Sequence, residues 1–192
     1  MLISEKSAGE LRKNIASGAD SYCSGLFLSA RWAVLSQTSE DRLNFIILPD
    51  RKGGPDRGVL SKAVDEMNAL SPDFIINVGD LIDGYVSDLS YSSAQWDEAI
   101  GLVKRLNAPL FLVGGNHDLS NKMMSDDWIS RFGRAYYHFT VGDDLFLVLN
   151  TEEFGNGNLS QEQVSYFRDL IQSFKGRWIY VFMHRSLWIK NS

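Results

Sequence analysis

Short apolar runs alternate with longer amphipathic segments from Leu43 onward, and few architectures satisfy such a pattern. The runs have the length and the β-branched or aromatic content of buried strands, whereas the longer segments space their apolar residues as helices do. Strands that alternate with helices form a sheet covered by helices, so the pattern predicts an α/β fold. The predicted strands are LNFIIL, FIINV, LFLV, AYYHFTV, LFLVLNT and RWIYVFM.

Three segments predict helices: GVLSKAVDEMNAL, SSAQWDEAIGLVKRLN and SQEQVSYFRDLIQSF. Ser92 or Ser93 is the expected N-cap of the second helix, because a serine hydroxyl can accept a hydrogen bond from a first-turn N–H group. One boundary is expected, near residue 42. We therefore predict that residues 1–42 form a leader or an extra helix and that residues 43–192 form one domain.

Polar side chains stand at the carboxyl ends of four predicted strands. Asp50 follows the first strand, Asp80 the second, Asn116 and His117 the third, and His184 the last. Ligands of α/β sheets bind outside these strand ends, where the loops leave the core. If neighbouring strands run parallel, we expect these side chains to converge on one site.

The expected convergence of carboxylates indicates a metal site. Asp50, Asp80 and Asp83 in one cleft would repel one another unless a cation lay among them. Aspartate, asparagine and histidine without thiolate form a ligand set that suits Mn, Fe or Zn. Asp80 is the best candidate to bridge two ions, an arrangement that stabilises both the attacking and the leaving oxygen in phosphoryl displacement.

His117 is the candidate general acid, because a histidine beside a metal ligand can protonate a leaving alkoxide. Its tautomer requires an orienting partner, and either Asp83 or Asp118 could serve. Asp118 directly follows His117, whereas Asp83 lies in the preceding strand-end segment.

Each candidate also has a purely structural interpretation. Asp50 could be a solvated turn residue, and Asp80 could be the N-cap of a short helix. Gly115 could belong to an ordinary turn, Asp83 to a polar surface loop, and His184 could be a hydrogen-bonded histidine at a strand end. The companion motifs favour the functional interpretation of the set.

At this point the sequence resembles the calcineurin-like metallophosphoesterases, whose strand-end motifs occur in a fixed order. GDLID at 79–83 and GNHD at 115–118 match two of these motifs in full. His184 matches the isolated histidine that follows a later strand. The resemblance spans residues 43–188 and implies an α-β-β-α sandwich of two mixed sheets with the metal site at one end.

The resemblance implies a role for each matching residue. Asp50 and Asp80 would bind a first metal ion, and Asp80, Asn116 and His184 a second. The implied reaction is hydrolysis of a phosphate ester by a hydroxide that bridges two metal ions. His117 would be the general acid, and Asp83 would be the carboxylate that orients it. Asn116 and His117 would also contact the substrate.

The sequence departs from the family pattern at two points. Lys52 stands where the family usually has a histidine ligand, and a protonated ammonium group cannot bind a metal. PDRKGG resembles the SDRTGG segment of a bacterial branch, and Lys52 is expected to neutralise the cleft or contact substrate phosphate. A terminal GHxH motif does not appear before Ser192, so the resemblance implies a domain incomplete at its C-terminus, without its last strands. This departure motivates the alternative hypothesis of an impaired fragment or a non-catalytic binding module of the same fold.

The composition limits the partners. The formal net charge of −5 argues against general nucleic-acid binding, and no segment is apolar over the roughly 20 residues that span a bilayer. No convincing signal peptide is present, so localisation stays open between cytoplasmic and exported. We expect a phosphorylated small molecule or a phosphoprotein as substrate. Tyr85, Tyr91 and Trp188 are candidates to line the cleft, and His138 is expected to be structural.

Overall fold

The structure, a computed structural model, describes residues 42–51 and 58–188. Along the chain these residues form six strands and four helices. The strands are β1 (Phe45–Leu48), β2 (Phe74–Asn77), β3 (Leu110–Leu112), β4 (Tyr137–Val141), β5 (Asp144–Val148) and β6 (Ile179–Phe182). The helices are α1 (Val59–Leu70), α2 (Leu89–Val103), α3 (Lys122–Phe132) and α4 (Gln161–Ser173). Residues 1–41, predicted to be a leader or extra helix, and Lys52 lie outside the described residues.

The strands form two three-stranded sheets. The first has the order β1-β2-β3, and all three of its strands run parallel. The second has the order β4-β5-β6, in which β4 and β5 form an antiparallel hairpin and β6 pairs with β5 in parallel. Two mixed sheets were predicted, but within the described residues only the second is mixed. Each parallel pair places the carboxyl ends of its strands at the same edge, as the site prediction requires.

An aromatic layer joins the two sheets. Phe74 of β2 is fully buried, and its ring centroid lies 5.2 Å from that of Phe146 in β5 with the rings nearly perpendicular. Phe111 of β3 stacks on Phe139 of β4 at 3.6 Å. Aromatic pairs in these geometries are worth about 0.5–1.5 kcal/mol beyond the area that they bury. The two sheets therefore pack face to face.

Helices cover both outer faces. α1, α2 and α3 bury a continuous apolar cluster against the first sheet, and Val64, Trp96 and Trp128 are among its most buried members. α4 covers the second sheet through Phe167, which packs in a cluster with Leu147 and Tyr136. The predicted α-β-β-α layering is therefore present. No helix in the described part of the chain is long and apolar enough to cross a membrane.

The start of α2 differs from the prediction. Asp88 is its N-cap, and its carboxylate accepts a hydrogen bond from the Ser90 N–H at 2.7 Å. The Ser90 hydroxyl also donates to this carboxylate, at 2.6 Å, and the two hydrogen bonds lower the pKa of the Asp88 carboxyl. Ser92, predicted as a cap, is instead buried inside the helix and donates to Asp127 of α3 at 2.6 Å. The helix therefore begins earlier than predicted, because its N-cap lies four or five residues before the expected Ser92 or Ser93.

Candidate metal centre

Three strand-end loops bring Asp80, Asn116 and His184 together. The His184 Nε2 atom lies 2.9 Å from Asn116 Oδ1 and 3.5 Å from Asp80 Oδ2. Asp80 follows β2 and Asn116 follows β3 in the first sheet, whereas His184 follows β6 in the second. The pocket therefore forms where the two sheets meet at their carboxyl edge.

The contacts of His184 indicate which ring nitrogen carries a hydrogen and which presents a lone pair to the pocket. Its Nδ1 atom lies 2.9 Å from the carbonyl oxygen of Val78, which can only accept, so Nδ1 carries the hydrogen. In the neutral imidazole, Nε2 then presents a lone pair toward Asn116 Oδ1 and Asp80 Oδ2. Three electron-pair donors that point at one space fit a divalent cation.

Glycines allow the close approach of these loops. A Cβ atom at Gly115 would lie 2.2 Å from Asp80 Oδ1, and one at Gly79 would lie 2.4 Å from His184 Nδ1. Gly79 and Asp80 both have positive φ, at 105° and 55°, so the backbone turns sharply where it leaves β2. Asp80 Oδ1 also accepts the His117 N–H at 2.9 Å, which ties the second loop to the first. Asp80 is therefore not the N-cap of a helix.

Asp118 links the loop after β2 to the loop after β3. Its fully buried carboxylate accepts hydrogen bonds from four main-chain N–H groups, those of Asp80 at 2.7 Å, Gly115 at 2.9 Å, Leu81 at 3.0 Å and Ile82 at 3.3 Å. Burial raises the pKa of the Asp118 carboxyl to about 7, assisted by the negative charge of Asp80, while the main-chain hydrogen bonds oppose the rise. Asp118 therefore fixes the loops and is not the orienting partner of His117.

His117 lies beside the pocket with little exposure, 6% of its surface. Its Nδ1 atom lies 2.5 Å from the main-chain carbonyl oxygen of Asp83. Asp83 was predicted to orient this imidazole through its carboxylate, but the atom in contact belongs to the backbone and the residue itself is exposed. A carbonyl acceptor still places the hydrogen on Nδ1.

Asp50 lies on an exposed segment after β1. The neighbouring Arg51 donates its main-chain N–H to the Asp80 carbonyl oxygen at 3.1 Å, so this segment runs alongside the pocket. Within residues 42–51 and 58–188, no three His, Cys, Asp or Glu side chains converge as a metal site would require. The convergent set contains two such residues and the amide of Asn116. The metal-ligand roles of all four predicted residues stay predictions.

Arg185 and Glu152 were absent from the predicted site. The Arg185 Nε atom donates to both carboxylate oxygens of Glu152, at 2.7 and 2.9 Å, and its main-chain N–H donates to Thr151 Oγ1 at 3.0 Å. The Glu152 carboxylate raises the pKa of the Arg185 guanidinium, with a smaller contribution from Asp80. The pair anchors the segment that carries His184. An arginine directly after the predicted ligand histidine was the available signal in the sequence.

Of the aromatic residues predicted to line the cleft, Tyr85 contacts the site. Its phenol oxygen accepts a hydrogen bond from Asn116 Nδ2 at 3.0 Å. Tyr91 lies exposed on α2, and Trp188 is 76% exposed at the end of the described residues. His138 lies in β4, where its Nδ1 atom contacts the Tyr166 hydroxyl at 2.6 Å, as a structural residue would.

The two stacked sheets carry polar loops at their shared carboxyl edge, as α/β proteins that bind ligands at strand ends do. A sequence model described as calcineurin-like phosphoesterase matches residues 55–191. The chain therefore belongs to the calcineurin-like phosphoesterase family. The matched range contains GDLID, GNHD and His184.

Curated relatives match about half of this sequence. The serine/threonine-protein phosphatase CPPED1 of Pongo abelii is 32% identical over 102 residues, which cover 50% of this chain and 32% of that protein. The protein of the same name from Homo sapiens is 31% identical over 102 residues, with coverage of 50% and 32%. The match thus spans about a third of the length of these relatives.

A solved structure supports the fold assignment. The purple acid phosphatase PPD1 from yellow lupin (Lupinus luteus) seeds superimposes with a TM-score of 0.53 at 15% identity. The superposition covers 74% of this chain and 30% of the lupin chain. At this level of identity the similarity concerns the fold.

Proposed function

We propose that this chain hydrolyses phosphate esters with metal ions held by Asp80, Asn116 and His184. Membership of the family indicates metal-dependent phosphoester hydrolysis as the chemistry. The convergence of Asp80 Oδ2 and Asn116 Oδ1 on the Nε2 atom of His184 is the observation that supports this site. Two metal ions, chosen from Mn, Fe and Zn, would supply a hydroxide nucleophile near neutral pH and neutralise negative charge.

Asp50 is proposed as a further ligand of the first ion, with Asp80 shared between the two. The hydrogen bond of Arg51 to the Asp80 carbonyl supports this assignment, because it keeps the Asp50 segment beside the pocket. Lys52 follows two residues after Asp50 in the sequence and is proposed to contact substrate phosphate as a point charge.

His117 is proposed as the general acid that protonates the leaving oxygen. The contact of Nδ1 with the Asp83 carbonyl holds the ring and leaves Nε2 as the atom that gives up the proton. The main-chain hydrogen bond from His117 to Asp80 keeps this imidazole next to the metal pocket. Asn116 and His117 are also proposed to contact the phosphate group.

The substrate class is proposed from the curated relatives. CPPED1 is named a serine/threonine-protein phosphatase, so phosphoserine and phosphothreonine peptides are proposed as substrates beside small phosphomonoesters. Such substrates carry a dianionic group that a cationic pocket can bind.

The test compares the wild-type chain with Asp80→Asn after removal and re-addition of Mn, Fe or Zn. Hydrolysis of a phosphomonoester, a phosphodiester and a phosphoserine peptide is measured with each metal. We expect metal-dependent activity in the wild type and a loss of at least about 100-fold in Asp80→Asn, because the variant removes the charged group at the centre of the ligand set.

Asp169→Asn is the matched control, since it makes the same change at an exposed position on α4, the helix that covers the second sheet. We expect this variant to retain wild-type rates. Equal rates for the wild type and Asp80→Asn would contradict the proposed function.

A further inference from the structure

Tyr85 occupies a backbone conformation that large side chains rarely adopt. Its φ angle is +52°, in the left-handed region, and 61% of its surface is exposed. A tyrosine with this exposure buries only a minor part of its surface, so core packing does not account for the strained backbone. Strained conformations of this kind concentrate at functional sites.

The side chain of Tyr85 contacts two residues of the proposed centre. Its phenol oxygen accepts the hydrogen bond from Asn116 Nδ2 at 3.0 Å. Its ring lies edge-on to the His117 imidazole, with 4.5 Å between centroids and an interplanar angle of 84°. Both contacts come from one residue that follows the GDLID segment, which itself carries Asp80.

The hydrogen bond matters because it joins Tyr85 to a proposed metal ligand. Asn116 Oδ1 lies 2.9 Å from His184 Nε2, while Nδ2 of the same amide donates to the phenol oxygen. The amide oxygen therefore faces the pocket while the other end of the side chain is held by Tyr85.

We propose that Tyr85 is a positioning residue that holds the Asn116 side chain at the metal pocket. When the amide oxygen faces a metal, the phenol oxygen accepts the Nδ2 hydrogen and keeps the side chain in place. Replacement of the phenol by phenyl removes this hydrogen bond and leaves the amide free to move. This inference rests on the proposed function, because it assumes that Asn116 is a metal ligand.

The test measures Mn²⁺ binding by calorimetry in the metal-free chain and in Tyr85→Phe, which keeps the ring against His117. Loss of one hydrogen bond is expected to raise the Kd for Mn²⁺ by about two- to tenfold, with thermal stability of the metal-free protein unchanged. Tyr91→Phe is the matched control, because Tyr91 is a similarly exposed tyrosine on α2, and it should retain the wild-type Kd.

A double-mutant cycle separates an effect through Asn116 from a general structural role. Asn116→Ala removes the amide that Tyr85 contacts and keeps Asp80 and His184. Tyr85→Phe should therefore change the Kd much less in the Asn116→Ala background than in the wild type. An equal change in both backgrounds would overturn the inference.

Asp80→Asn distinguishes failure of this inference from failure of the proposed function. If Asp80→Asn loses Mn²⁺ binding while Tyr85→Phe binds as the wild type does, the role of Tyr85 is refuted and the metal centre stands. If Asp80→Asn binds Mn²⁺ with the wild-type Kd, the proposed centre and the role of Tyr85 are both refuted.

Discussion

The carboxylate of Asp118 accepts main-chain hydrogen bonds from the loops after β2 and β3 and holds them at a fixed separation. A buried N–H group without an acceptor costs about 1–3 kcal/mol, and several of these groups depend on this one side chain. Asp80 and Asn116 lie in the two loops that Asp118 joins. We therefore expect the metal pocket to be sensitive to a residue that does not face the metal.

The pH dependence of stability tests this role. Burial raises the pKa of Asp118 from 3.8 to about 7, so between these values the folded metal-free protein binds more protons at this site than the unfolded chain does. The contribution of the Asp118 carboxyl to the free energy of unfolding is therefore complete below about pH 4 and is lost as the pH rises through about 7. Urea unfolding from pH 4 to 8 should show this loss in the wild type.

Asp118→Asn is the control for that measurement, because it keeps the size of the side chain without the titration. The variant should be less stable throughout and should lack this component of the pH dependence. Parallel curves for the two proteins would contradict the assignment of the titration to Asp118.

At the level of single elements, the strands followed from the sequence because buried parallel strands are continuous apolar runs. α3 was not predicted, because one position facing the other helices is polar: the buried Asp127 bonds to Ser92 and forms an ion pair with Arg131. These polar residues interrupt the apolar stripe from which an amphipathic helix is predicted. The interhelical hydrogen bond also explains why Ser92 does not cap α2.

The cap of α3 links this helix to the loop that carries Tyr85. Asn121 Oδ1 accepts the Met124 N–H at 3.1 Å, and Asn121 Nδ2 donates to the Val86 carbonyl at 2.8 Å. Asn121→Ala should lower the free energy of unfolding by about 1 kcal/mol, because it removes the cap. Urea titration measures the effect.

Asn121→Asp separates the effects of the two hydrogen bonds. Its carboxylate can still accept the Met124 N–H, but it cannot donate to the Val86 carbonyl. We expect most of the stability to return in this variant. If Asn121→Asp were as unstable as Asn121→Ala, the cap would not be the source of the stabilisation.

The site was partly predictable because several of its residues directly follow apolar strands. Strand ends followed by Asp80, Asn116 and His184 are visible in the sequence, and the structure places these three side chains together. Contacts made by the main chain are not visible in this way. The Asp83 carbonyl on His117 depends on the path of the loop after β2, where Asp80 has positive φ. Residue types alone do not fix that path.

Across the whole molecule, the proposed centre lies between the two sheets. Asp80 and Asn116 belong to loops of the first sheet, whereas His184 follows β6 of the second and is anchored nearby by the Arg185–Glu152 ion pair. The aromatic layer of Phe74 and Phe146 fixes how the sheets stack and therefore where these loops meet. Because the proposed ligands come from separate sheets, the proposed centre requires both sheets of the sandwich.

Anomalous X-ray scattering from crystals grown with Mn or Zn tests the metal centre most directly. We predict a peak within about 2.0–2.3 Å of Asp80 Oδ2, Asn116 Oδ1 and His184 Nε2, the distances at which these metals bind oxygen and nitrogen. A metal bound only at other residues, or no peak at this position in crystals saturated with metal, would contradict the account.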